Sequence, residues 1–427
     1  MRLLFIILFS FTYLHAYNFN LIKLNHDDSP TLLVVGGIHG NEPGGYFAPA
    51  ILATHYKITK GSLWIVPDLN RVSIQSNMRG IHGDMNRKFS IIKSNDRDKQ
   101  TVLEIKEVML KKNIDLILNL HDGHGFYRKD YKNTIFNPNA WGQTCVIDQS
   151  KLDGECSFSD LGSIAQKVNS HLNANLLEAH HIFNIKNTKT KFEDEAMKLS
   201  LTYFAVTHNK PAFAIETSKN LSTLEQKIYY QLRAIEGYMQ VMGIEYKRDF
   251  ELDTLEISRI LKKSGELIIN SNIAINLYDI KRYINYLPML PRHNSIELTN
   301  ILGSFKRVQN HYDIYIGNKK ITTIFPQRFK SIKSAKKVTI EIDGVDKEVA
   351  IASNVKVNDD FTIKANANLR VNVIGYSNSK IKNENMITIS KSDLNKKFSL
   401  DKDGLSYRVE FYDGNSFAGM VVVNFNK

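Results

Sequence analysis

TLLVVGGIHGNEPGGYFAPAILATHY, residues 31–56, carries a histidine and a glutamate, His39 and Glu42, on a glycine-rich turn. The run before the turn, TLLVV, is short, apolar and rich in branched side chains, and reads as a buried strand. The run after it, YFAPAILATHY, reads as a helix. His39 and Glu42 therefore sit where a strand hands over to a helix. Open α/β sheets bind their ligands at that edge, beyond the carboxyl ends of the strands. Glycines let side chains converge there without steric cost. A tight turn with a polar cap is the plain alternative, and this stretch alone does not separate the two.

Working outward, the same alternation continues. SLWIVPD (62–68) reads as the next strand, RDKQTVLEIKEVMLKKN (97–113) as a helix and IDLILNL (114–120) as a strand. LGSIAQKVNSHLNANLLEAH (161–180) reads as a helix, PAFAIET (211–217) as a strand and LSTLEQKIYYQLRAIEGYMQVMG (221–243) as a long helix. Ser222 or Thr223 caps that last helix, with Glu225 in its first turn. Apolar strands alternating with helices predict an α/β domain with a mixed sheet flanked by helices, over residues 17–245.

The pattern changes near residue 250. GELIINSNIAI, YDIYIGN and KITTIFPQ are strand-like runs and predict a small β-rich domain over 250–335. From residue 336 the alternation sharpens in KKVTIEIDG, FTIKA, LRVNVIGY, SYRVEFYDG and FAGMVVVNF. Asp343-Gly344 and Asp413-Gly414 are tight-turn signals. This spacing predicts an immunoglobulin-like β-sandwich over 336–427. No repeat and no low-complexity tract interrupts the order.

Composition bounds the rest. The chain has 427 residues, enough for two or three domains, with 43% apolar and 23% charged side chains, ordinary for a globular protein. The net charge of +12 suits an anionic partner. The lysines are spread without a basic block, and no nucleic-acid motif accompanies them, so no nucleic-acid partner is expected. MRLLFIILFSFTYLHA (1–16) has Arg2, an apolar run and then Ala16, the layout of a secretory signal peptide. The apolar run is short for a membrane span and no later segment is apolar enough, so no span is expected after cleavage. The two cysteines, Cys145 and Cys156, are close enough in sequence for a disulfide in an oxidising compartment, and two independent thiols stay open.

Three strand ends carry chemistry. The first holds His39 and Glu42, another ends on His121 and the last ends on Glu216. Two histidines and a glutamate form a catalytic Zn2+ set that leaves one position open. A further carboxylate is then needed to take a proton and deliver it to the leaving amine, and Glu216 fits by position and type. A structural buried carboxylate is the plain reading of Glu216 taken alone. His124 and Asp122 share the loop with His121. His124 lies further out, and Asp122 is placed to orient a ligand. The adjacent pair His180-His181 is assigned to surface or packing. Between the first two strand ends, VPDLNRVSIQSNMRGIHGDMNRKF (66–89) gathers Arg71, Arg79 and Arg87 with Asn70 and Asn86. Arginine grips carboxylates through paired hydrogen bonds, although a solvated basic loop would read the same way.

His39-Gly-Asn-Glu42, Asp84-Met-Asn86-Arg87, His121 after a strand and Glu216 before Thr217 resemble the zinc metallocarboxypeptidase family. GGIHGNE and DMNR resemble its branch near succinylglutamate desuccinylase and aspartoacylase. The signal peptide, RGIHGDMNRKF, NLHDGHGFY and two trailing β domains are similar to the cell-shape-determining peptidoglycan DL-carboxypeptidases of helical and curved bacteria. The resemblance covers nearly the whole mature chain.

It implies a periplasmic enzyme that removes terminal meso-diaminopimelate from peptidoglycan tripeptide stems and leaves dipeptides. Zinc would lie on His39, Glu42 and His121, with Glu216 as base and then acid. Arg87 and Asn86 would hold the terminal carboxylate, and Arg79 would be a second anion contact or a clamp on the tetrahedral intermediate. Trp141 and Thr202 would line the diaminopimelate pocket. The tyrosine that digestive carboxypeptidases keep near the scissile bond is not assigned, with Tyr127 and Tyr203 as candidates. Cell-wall protein partners would meet the β domains. Two other functions fit parts of the pattern. A deacylase acting on a small N-acyl amino acid shares the metal set but predicts neither leader nor β domains. A non-catalytic wall scaffold predicts a broken metal set.

Overall fold

The computed structural model describes residues 17–426, except 28, 155, 333–334, 366–367 and 379. The expected leader, residues 1–16, lies outside the described residues. The first part of the chain runs β1 (Ile22–Asn25), β2 (Thr31–Val35), α1 (Gly44–His55), β3 (Tyr56–Lys60), β4 (Ser62–Val66), α2 (Arg71–Gln75), α3 (Lys99–Met109) and β5 (Leu116–Gly123). It continues through β6 (Phe126–Tyr127), β7 (Phe136–Asn137), β8 (Thr144–Ile147), α4 (Leu161–Asn173), β9 (Asn184–Asn187), α5 (Thr190–Glu193) and α6 (Leu201–Thr207). It closes with β10 (Ala212–Ser218), α7 (Leu224–Met242), β11 (Glu245–Arg248) and α8 (Thr254–Lys262).

Seven strands form one sheet in the order β1-β4-β2-β5-β10-β8-β9. The central four, β4, β2, β5 and β10, are parallel. β1 and β8 pair antiparallel at the flanks, so the sheet is mixed as expected. Every residue of β2, β4 and β5 is buried. A strand covered on both faces reads as a continuous apolar run, which is why these segments are legible without alternation.

Helix α1 is apolar around its whole circumference and buried over most of its length, because it packs on both the sheet and α7. Helix α7 starts at a capping box in which the Thr223 side chain accepts from Gln226 N and Gln226 reaches back. That settles the choice between Ser222 and Thr223. β8 and β9 leave little local signal in the sequence. β8 has four residues, and β9 reads NIKN, with no apolar alternation to mark it. β11 pairs with β3 and α8 packs on α7, so the chain keeps adding to the α/β unit after residue 245.

The next part holds β12 (Glu266–Ile269), β13 (Ile273–Asn276), β14 (Tyr283–Met289), β15 (Ile296–Leu298), β16 (Gly303–Val308), β17 (His311–Ile316) and β18 (Lys319–Arg328). They form a three-stranded sheet β13-β12-β15 and a four-stranded sheet β14-β18-β17-β16. Their apolar residues, among them Leu267, Ile314 and Ile324, belong to the same core cluster as Leu32 and Leu118 of the α/β sheet. The middle β region is thus welded to the first unit by a shared core.

The last part holds β19 (Lys337–Ile342), β20 (Val345–Ala350), β21 (Ser353–Val357), β22 (Asp360–Lys364), β23 (Arg370–Val373), β24 (Thr388–Ser390), β25 (Ser406–Asp413) and β26 (Ser416–Phe425). Two four-stranded sheets, β20-β19-β22-β24 and β21-β26-β25-β23, enclose a core of their own around Ile340, Phe361, Val409 and Phe411.

The possible Cys145–Cys156 disulfide is not formed, and both thiols are free. Cys145 is locked into β8 with its thiol buried beside Tyr238, while Cys156 lies on a loop near Phe158. Burial pushes the Cys145 thiol up to about 12, which makes it inert. Among the described residues no helix is long and apolar enough to cross a membrane.

Candidate metal centre

The chain leaves β2 for β4 on one side and later returns to β5 on the other, so strand order reverses between β2 and β5. A crevice opens at such a switch point, at the carboxyl ends of the parallel strands. His39 and Glu42 come from the turn after β2, and His121 from the end of β5. The glycines let that turn sink against α2. A Cβ on Gly40 would lie 2.0 Å from the backbone carbonyl of Ser73, so no larger residue fits there.

Three donors converge. His39 Nδ1 is 3.0 Å and His121 Nδ1 2.9 Å from Glu42 Oε2, and the two ring nitrogens are 3.2 Å apart. All three residues are buried. Two imidazole nitrogens and a carboxylate oxygen aimed at one point suit a nitrogen- and oxygen-ligated divalent ion. The outer contacts suit it too. His39 Nε2 lies 2.8 Å from Asp84 Oδ1, which fixes the ring with Nδ1 inward. Arg79 bridges the set, Nη1 donating to Glu42 Oε1 at 3.0 Å and Nε to Asp84 Oδ2 at 2.9 Å. On β5 the next residue, Asp122, turns to the other face and accepts from Gly44 N and Thr217 Oγ1. It orients the helix start and strand rather than an imidazole.

Charge follows the geometry. Burial would raise the Glu42 carboxyl, but His39 and His121 outweigh it and hold it well below the usual range. Burial would lower His39, but Glu42 and Asp84 raise it. Burial lowers His121. Glu216 goes the other way: burial first, then the Glu42 charge, lift its carboxyl well above the usual range. A carboxyl held up in this way keeps its proton to higher pH than a free one, which suits a proton carrier.

A cavity of about 240 Å³ opens over the three donors, and the nine residues assigned to the site from the sequence all line it, whereas Asn70 and Arg71 do not. Glu216 sits across from His121 in the β5–β10 pairing. Among the described residues Arg87 has only weak partners, the Asn86 carbonyl at 3.1 Å and Met197 Sδ at 3.7 Å, and no carboxylate pairs with it. Asn86 anchors the wall by accepting from Leu201 N at the start of α6. Trp141 carries the Lys186 ammonium 4.3 Å over its ring, and Thr202 follows the Ser200 cap of α6.

The competitors fall away. His124 is exposed at the rim and outside the donor set. Tyr127 and Tyr203 do not line the cavity, and no other tyrosine among the described residues does. His181 is buried against Phe126 and Tyr230 and His180 is exposed; with Glu178 they form a second, mostly exposed group of three donors outside this cavity. Three contributors escaped the sequence reading. Lys219 places Nζ 3.5 Å from Glu42 Oε1. Gln231 on α7 donates to the His121 carbonyl at 2.7 Å. Asn119 is fully buried in the cavity wall with both side-chain polar atoms unbonded. Only Asn119 left a trace, a polar residue in an apolar strand two before His121 and hence on its face.

Residues 1–262 match the family described as the catalytic part of carboxypeptidases controlling helical cell shape. Residues 331–426 match a C-terminal domain of metallo-carboxypeptidases. The apo structure of the cell shape determinant protein Csd4 from Helicobacter pylori is 37% identical, covers 96% of this chain and 100% of that one, and superposes with a TM-score of 0.89. A tripeptide-bound structure of the same protein matches with the same identity, coverage and score. A third, the mDAP-bound form of Csd4, described as a D,L-carboxypeptidase, is 36% identical over 95% of this chain and 100% of that one, with a TM-score of 0.89. No curated protein sequence matches the chain.

Proposed function

Because the chain belongs to the family of carboxypeptidases that control helical cell shape, we propose that it is a zinc-dependent peptidoglycan D,L-carboxypeptidase that removes terminal meso-diaminopimelate from tripeptide stems and leaves dipeptides. The observation that carries this reading is the convergence of His39, Glu42 and His121 under one cavity with Glu216 beside them and an unneutralised Arg87 in its wall. Substrate identity rests on the tripeptide- and mDAP-bound relatives.

His39, Glu42 and His121 hold the ion in this reading. Bound zinc supplies Lewis acidity toward the scissile carbonyl and a nucleophile at neutral pH. Asp84 keeps His39 in the tautomer that ligates through Nδ1. Arg87, with Asn86 holding the wall behind it, grips the terminal carboxylate of the substrate and sets the scissile bond over the donors. Glu216 takes a proton at its carboxylate and passes it to the leaving nitrogen, a task suited to its raised pKa. Arg79 is tied to Glu42 and Asp84, so its first task is to hold the ligand set. Its remaining N–H groups face developing negative charge. Trp141 and Thr202 shape the side-chain pocket.

Residues 1–16 act as a cleaved leader, so the enzyme works in the periplasm. Residues 17–262, with β11 and α8 included, form the catalytic unit, ahead of β domains that begin at β12 and at residue 336. The test is hydrolysis of synthetic tripeptide by the mature chain after metal removal and again after zinc is restored. Turnover should vanish and return, and a chain that cleaves equally well without metal contradicts the proposal.

A further inference from the structure

A second cleft, larger than the first at about 690 Å³, opens between the middle β region and the C-terminal sandwich. It shares no residue with the cavity over the metal ligands. One wall is the edge of β14 with β18, the other is β23 with β25. Its volume falls in the range of sites that enclose a ligand.

The floor is built from buried charge. Arg408 and Glu410, side by side on one face of β25, are 6% and 2% exposed. Arg408 Nη1 is 3.3 Å from Glu410 Oε1, and Tyr412 donates to Glu410 Oε2 at 2.5 Å. Arg408 also donates to the carbonyls of Asn285 and Tyr286 on β14, which ties the two walls together. Yet Arg408 Nε, buried at the same place, has no hydrogen-bond partner among the described residues. Buried polar atoms are nearly always satisfied, so an unpaired cationic donor at the bottom of a cleft calls for a polar, anionic ligand.

The walls name its chemistry. Four cations, Lys281, Arg370, Lys397 and Arg408, line the cleft against one carboxylate, Glu410. Arg370 stands over the Tyr412 ring at 4.3 Å and has no hydrogen bond or ion pair to any described residue. Its fork is open to a carboxylate. Tyr283, Tyr286 and Phe398 are 48%, 73% and 48% exposed at the rim. Tyr286 holds φ at 56°, unfavourable for a bulky side chain, at a bulge in β14. Exposed aromatic faces flanked by the amides of Asn285, Gln327 and Asn372 match the C–H faces and hydroxyls of sugar rings.

We propose that this cleft is a second binding site, taking a carboxylate-bearing sugar–peptide segment of the wall polymer while the metal centre works on a stem. The choice of wall polymer over another anion rests on the proposed function. The cleft then holds the enzyme on polymer that the small catalytic cavity cannot grip.

The test uses the full mature chain and a soluble disaccharide–tetrapeptide muropeptide, with affinity read by calorimetry. Arg370→Glu and, separately, Tyr283→Ala change exposed side chains. Each should weaken muropeptide binding about tenfold or more. Each should leave kcat/KM for free tripeptide unchanged within about twofold. Unchanged muropeptide affinity in both variants overturns the proposal. So does equally tight, Arg370-dependent binding of an acidic peptide without sugars, which would make the cleft a protein-docking site. A chain that binds muropeptide through Arg370 but hydrolyses no tripeptide would uphold the cleft and sink the proposed activity instead.

Discussion

Glu216 on β10 lies directly across from His121 on β5 in their parallel pairing. Cross-strand partners share a face and stand side by side, so the ladder itself sets the proton carrier beside the metal ligand. Neither residue depends on a mobile loop for its position, which is what a preorganised centre needs.

That pairing predicts a clean separation of roles. Glu216→Gln keeps the shape of the side chain and removes its proton exchange. Turnover should fall by a factor of about 10² to 10⁴. Metal content per chain, read by elemental analysis, should not change. A Gln variant with near-normal turnover would remove Glu216 from proton transfer.

The ligand set responds in the opposite way. His39→Ala should lose both metal and turnover. Asp84→Asn keeps the three donors but loosens the His39 ring, and metal affinity should fall about 10- to 100-fold in competition with a chelating dye. Unaltered affinity would mean that Asp84 serves Arg79 and the Asn86 turn rather than the metal ligand.

Much of this was legible in the chain. TLLVV, LILNL and PAFAIET announce themselves because strands buried on both faces are uninterrupted apolar runs, and all the proposed site residues cluster at one cavity. What escaped depends on tertiary placement. Lys219 looks like any surface lysine until β10 delivers it to Glu42. Gln231 is one polar residue in an amphipathic helix until α7 lays it on the His121 carbonyl. NIKN becomes strand β9 only because β8 offers it an edge. The shared core of the α/β unit and the middle β region is likewise invisible to local pattern, since each apolar run looks self-sufficient. The cysteines mislead for the same reason: nearness in sequence says nothing about a thiol locked in a sheet.

Arg87 is predicted to govern both binding and rate. Arg87→Ala should raise KM and lower kcat together, with kcat/KM down about 10²-fold, since a misplaced scissile bond reacts slowly. The fold should be unaffected, because among the described residues the guanidinium bonds only the Asn86 carbonyl and Met197. An unchanged kcat/KM excludes Arg87 from the site.

Gly123 is a steric test of the cavity. A Cβ there would lie 2.8 Å from Glu216 Oε2 and 2.7 Å from Trp141 Cβ. Gly123→Ala should cost about 1–3 kcal/mol of stability in denaturant unfolding, by overpacking. Turnover should drop because Glu216 is displaced, while the three metal donors keep their places. A variant as active and as stable as the parent would mean that Glu216 is free to move aside.

The most direct measurement is digestion of a purified muropeptide mixture by the mature chain, read by mass spectrometry with and without a chelator. The expected result is loss of diaminopimelate from tripeptides alone, with tetrapeptides and pentapeptides intact, and abolition by the chelator. Zinc-loaded protein that leaves tripeptides whole, or that trims all stems alike, would contradict it.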